Sequence, residues 1–85
     1  MIDVCMLRKG LIAEEETIIE YKKMMDMCET ADAKKLFEDI IWEEEVHAGE
    51  FRYLIEKLCP TSMEKFEEGK REASELLADT NLLNT

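Results

Sequence analysis

Two stretches of this chain repeat apolar side chains at alternating steps of three and four residues, and nothing else in the sequence constrains the fold so tightly. In the first, Leu7, Leu11, Glu14, Ile18, Tyr21, Met25 and Cys28 share one face; in the second, Phe37, Ile40, Glu44, His47, Phe51, Leu54 and Leu58 share another. This period predicts helices over about residues 3–29 and 32–58. The break at Glu29-Thr30-Ala31-Asp32 holds two good N-capping types and too little chain for anything but an antiparallel return. Pro60 lacks an amide hydrogen and disfavours helical geometry in the residue before it, so the second helix should stop at Cys59. Thr61 with Glu64 reads as a capping box that opens a third helix over about 61–78. The tail Asp79-Thr80-Asn81-Leu82-Leu83-Asn84-Thr85 has no periodicity and is expected to fray. The fold class is all-α: an antiparallel two-helix hairpin plus a short C-terminal helix, as a single half-domain over residues 1–85.

Length and charge narrow the function. A chain of 85 residues buries only roughly 60–65% of its unfolded surface, so two independent cores are excluded and any larger machinery must be shared between copies. Eleven basic against 21 acidic side chains leave a net charge of −10, which repels nucleic acid and anionic lipid and attracts cations. No apolar run approaches the ~20 residues that span a bilayer. Cys5, Cys28 and Cys59 make no Cys-x-x-Cys pair, and no secretory leader pattern follows Met1, so free thiols in a reducing cytosol are expected. Gly10 and Gly49 both fall inside helices, and Gly49, just after His47, is a candidate for close approach of a neighbouring helix.

Both apolar stripes are interrupted near their middles, by Glu14 in the first and by Glu44 with His47 in the second. An ionised carboxylate removed from water costs several kcal/mol unless a cation meets it, and a core this small cannot absorb two such penalties. Glu44-x-x-His47 presents a carboxylate and an imidazole on the same side of one helix, a ligand set for iron, manganese or zinc. With Glu14 on the other helix, these residues are half of the di-iron carboxylate site of ferritin-like four-helix bundles. The other half must come from a second copy, giving a two-fold dimer that closes the bundle around two metals. Tyr21 is either core filler or a hydrogen-bond donor to a ligand carboxylate. The competing reading has Glu14 and Glu44 snorkelling to the rim and His47 as a satisfied core histidine. Glu15, Glu16, Glu43 and Glu45 read as a solvated face, Glu16 and Glu20 as a possible funnel for ions, and Met6, Met24, Met25 and Met27 as adaptable core packing. Trp42 lies off the stripe and reads as an interface or cap contact.

The sequence resembles the encapsulated ferritins, half-size ferritin-like proteins associated with encapsulin nanocompartments as cargo or as fusions to the shell. The resemblance lies in Glu14 through Tyr21, in Trp42-Glu43-Glu44-Glu45-Val46-His47-Ala48-Gly49-Glu50-Phe51, and in Leu58 through Leu76 with Pro60 and Phe66-Glu67-Glu68. It implies a ferroxidase in a decameric ring of five dimers. Glu14, Glu44 and His47 would bind a di-iron centre at a subunit interface, with Tyr21 close by. Glu16 stands where the family has an outer acidic residue on the path of incoming ions, whereas Glu20 stands where some members have an aromatic. Leu82-Leu83-Asn84-Thr85 is unlike the family's encapsulin-targeting extension. The expected activity is oxidation of Fe(II) by dioxygen or peroxide for iron storage or detoxification, in the cytoplasm with an encapsulin shell as partner. Two other classes share the ligand pattern: a rubrerythrin-like peroxidase or manganese catalase, and a non-catalytic helical oligomerisation module whose polar stripe residues fix register.

Overall fold

The computed structural model describes the backbone of residues 1–83 and the side chains of residues 1–78. Three helices follow one another: α1 (Ile2–Met27), α2 (Ala31–Leu58) and α3 (Pro60–Leu83). The class is all-α, as the helical period predicts, and no strand occurs among the described residues. The chain divides into two compact units, Met1–Ile55 and Glu56–Thr85.

In the first unit α1 and α2 form an antiparallel hairpin. At Cys28 the backbone turns extended, with φ −71° and ψ 144°, and its N–H donates to the Met25 carbonyl. Thr30 then caps α2, its Oγ1 accepting from the Ala33 N–H at 3.2 Å, while Asp32 places negative charge in the first turn, where the helix dipole favours it. The hairpin is tied by the edge-on ring pair Tyr21–Phe37, whose centroids lie 5.7 Å apart at 62°. Two ion pairs also cross between the helices, Lys22–Glu45 at 3.7 Å and Arg52–Glu15. Glu15 and Glu45 therefore brace the two helices from the solvated face expected of them.

The α1 stripe faces α2 as its period predicts, all seven members being half-buried. The α2 seam is rotated from its expected position. Its buried residues are Ile41, Ala48 and Ile55, each one place after Ile40, His47 and Leu54. A single facing helix covers only one flank of a wide apolar stripe, and His47 and Leu54 fall on the open flank. Met6, Met24 and Met27 are exposed, which overturns the core role expected of them; only Met25 lies on the covered face. Gly49 has open space where a Cβ would stand, whereas Gly10 receives the Phe51 ring, so the close approach belongs to Gly10.

In the second unit α3 begins one residue earlier than expected. Pro60 itself occupies the first turn, where its fixed φ and missing N–H are an advantage, and the Ser62 N–H donates to the Cys59 carbonyl at 2.9 Å. Thr61 thus lies inside the helix and not at its cap. Nor is α3 short, and the tail does not fray where expected: the helix continues to Leu83, 24 residues in all. Asp79, Thr80 and Asn81 each cost only about 0.5 kcal/mol relative to Ala, too little to stop a propagating helix. Asn84 and Thr85 lie outside the described residues. Arg71 pairs with Glu68 and, at 2.8 Å, with Glu75 on the surface of α3. The Arg71 guanidinium holds the Glu68 carboxyl below its usual range. No helix is long and apolar enough to cross a membrane among the described residues.

Candidate metal centre

Glu14 comes from the middle of α1 and Glu44 and His47 from the middle of α2, and the hairpin brings the three together. One ligating atom from each lies within 4.8 Å of the others. His47 Nδ1 stands 3.8 Å from Glu44 Oε2 and 3.9 Å from Glu14 Oε2. These separations are too long for hydrogen bonds. Two ligands about 2.1 Å from one ion are about 3.0–3.4 Å apart, so the two His47 separations are wider than those of a closed site.

The electrostatics of the cluster are unsettled in a way that a cation would relieve. Glu14 is 22% and Glu44 21% exposed at the side chain, and Glu14 Oε2 is buried with no hydrogen-bond partner. An orphaned buried acceptor costs about 1–3 kcal/mol, and more when it is charged. His47 is no satisfied core histidine, being 50% exposed and beyond hydrogen-bond reach of both carboxylates. Two carboxylate oxygens and one imidazole nitrogen suit iron, manganese or zinc. The exposed side of His47 opens onto a groove lined by Leu7, Glu14, His47, Glu50, Phe51 and Leu54.

Tyr21 lies two turns beyond Glu14 on the same face of α1, packed on Phe37, and its hydroxyl makes no hydrogen bond to a ligand carboxylate. Glu16 is exposed, and Glu20 is paired with Lys23 at 3.5 Å on the surface of α1. Trp42 is 67% exposed and lines a second groove with Lys35, Glu38, Asp39, Ile41 and Glu45, away from the cluster. No disulfide joins Cys5, Cys28 and Cys59, and none of them belongs to the cluster. Glu50, three residues after His47 and hence on its side of α2, also lines the groove, and that spacing is legible in the sequence. Arg52, which braces Glu15 next to Glu14, carries no sequence signal of its own.

Residues 3–55, the span that contains all three cluster residues, match the rubrerythrin family model. A curated relative, the ferritin-like-encapsulin shell fusion protein of Pyrococcus furiosus, is 34% identical over 70 residues. The match covers 82% of this chain and 20% of the relative, so the chain spans about a fifth of that protein's length. No solved structure matches the chain significantly.

Proposed function

Because the chain belongs to the rubrerythrin family and is ferritin-like in fold, we propose that it is a ferroxidase of the encapsulated ferritin type, working at a di-iron site that two copies complete together. The observation that carries this reading is the Glu14, Glu44 and His47 cluster with its orphaned carboxylate oxygen. One chain owns two carboxylates and one imidazole, half of what a binuclear carboxylate centre uses. The exposed half of His47 and the uncovered Ile12, Ile19, Val46 and Tyr53 on the same hairpin support a second copy as the missing half.

In this reading Fe(II) is the substrate: each of two ions gives up one electron, and dioxygen or peroxide accepts the pair. Glu14 and Glu44 would hold the ions, since carboxylates accommodate both oxidation states and shift between coordination modes. His47 would contribute an imidazole nitrogen to the same site. Tyr21, on the same face of α1 as Glu14, would orient a ligand once the dimer has formed. The net charge of −10 concentrates Fe(II) around the protein. A two-helix subunit encloses no mineral, so the Fe(III) product must leave for an outer compartment. An encapsulin shell in the cytoplasm suits that need, and the P. furiosus relative is a fusion to such a shell. A ring of five dimers is the expected assembly.

Anaerobic addition of Fe(II) followed by air tests the activity. The wild-type chain should develop ferric absorbance within seconds to minutes, and His47→Ala should not exceed the protein-free rate. Absence of ferric absorbance in the wild type would rule the ferroxidase out. Peroxide breakdown with manganese but not with iron would replace it by the catalase reading.

A further inference from the structure

Gly10 precedes Glu14 by four residues on α1, and Phe51 follows His47 by four on α2. In an antiparallel hairpin one step forward on the first helix matches one step back on the second, so the Gly10–Phe51 layer adjoins the Glu14–His47 layer directly. A Cβ placed on Gly10 would stand 2.6 Å from Phe51 Cε1 and 2.7 Å from Cζ. Neither distance is one that real carbon atoms tolerate. At Gly49 and Gly69, by contrast, the same position is open space. The Phe51 ring takes the space that a Gly10 Cβ would need, and Phe51 also lines the groove shared by Glu14 and His47.

We propose that Gly10 and Phe51 form a clasp that positions Glu14 against His47, making both of them positioning residues for the metal centre; the inference rests on the metal reading given above. The ring can stand against α1 at this layer only because position 10 has no side chain. Any Cβ there must either part the helices at this layer or swing the ring into the groove. Both movements act one turn from a ligand pair already 3.9 Å apart, and parting the helices widens it. The cost of glycine in mid-helix is thus offset by the geometry it permits at the next layer.

The test is a titration with Co(II) alone, followed by its visible absorbance, on the wild type, Gly10→Ala, the control Gly69→Ala and the double variant Gly10→Ala/Phe51→Leu. Circular dichroism and native mass spectrometry record helicity and oligomeric mass in parallel. Gly10→Ala should weaken Co(II) binding by about tenfold or more, the range seen when residues supporting metal ligands are changed. Helicity and mass should not fall. Gly69→Ala should bind as the wild type does. Leucine is shorter than the ring and leaves room for the new Cβ, so the double variant should recover most of the loss. Undiminished Co(II) binding by Gly10→Ala, no recovery in the double variant, or a loss that tracks unfolding or dissociation would each overturn the clasp. A wild type that shows no Co(II) spectrum fails differently, because it removes the metal centre itself.

Discussion

His47 Nδ1 and Glu14 Oε2 face each other across the hairpin at 3.9 Å, with no hydrogen bond between them and no other partner for the buried carboxylate oxygen. A charge held this way works against folding until a cation arrives. Glu14→Leu should therefore raise the stability of the metal-free protein by about 1 kcal/mol, the low end for removing an orphaned buried group, because Glu14 keeps some contact with water. The same substitution should abolish stabilisation by metal. For the wild type that stabilisation should reach about 2.7 kcal/mol when the free ion is at a hundred times its dissociation constant. Thermal melts with and without Mn(II), at one protein concentration, give both numbers. Equal metal stabilisation of the two proteins would remove Glu14 from the site.

Packing and ion pairing contribute unequally to the hairpin. Ile55 is one of only three buried residues among those described, and Ile55→Ala should cost about 2–3 kcal/mol, toward the lower end for such truncations in a core so thin. Arg52 and Glu15 are both about half exposed, so Arg52→Ala should cost less than about 1 kcal/mol and less still at high salt. Denaturant unfolding of the two variants checks the order. A larger loss in Arg52→Ala would mean that the brace beside Glu14, and not the apolar seam, holds the helices together.

The sequence carried the helices and the three cluster residues, because a period of three and four records burial directly and a charged residue on that period stands out. The flank of α2 that meets α1 was not legible. Phe37, Glu44, Phe51 and Leu58 belong equally to the stripe through Ile40, His47 and Leu54 and to the one through Ile41, Ala48 and Ile55, and only the facing helix decides between them. Gly10 was hidden for a similar reason. Its value lies in Phe51, 41 positions away in the chain, and a glycine inside a helix looks locally like a defect. The extent of α3 was not legible because the tail carries no apolar period, yet a helix can run on without one where no residue has a penalty as large as that of proline.

The surface of α3 should respond to acid. Arg71 donates to Glu68 and holds its carboxyl below the ordinary value of 4.5. A carboxylate bound more strongly when ionised contributes fully above that value, and the contribution is lost as pH falls through the lowered one. Hydrogen exchange of amides in residues 68–75 should therefore accelerate below pH 4.5 relative to the exchange chemistry of unstructured peptide. Arg71→Ala should remove that acid-induced part. Both side chains are exposed, so the effect should be small and should shrink with salt. An identical pH profile in the variant would show that the pair contributes nothing to the helix.

The stoichiometry of iron binding separates a shared site from a private one. One hairpin supplies Glu14, Glu44 and His47, three ligating residues, whereas a binuclear carboxylate centre in a four-helix bundle uses four carboxylates and two imidazoles. Two copies related by a two-fold axis supply that set, and their approach would also cover the open flank of α2 at His47 and Leu54. Native mass spectrometry of protein titrated anaerobically with Fe(II) should accordingly show two irons for every pair of subunits and none on monomers. His47→Ala should lose both irons together, since each copy donates to the same centre. One iron retained by each isolated monomer would mean that the three ligands close around an ion unaided, and the need for a second copy would disappear.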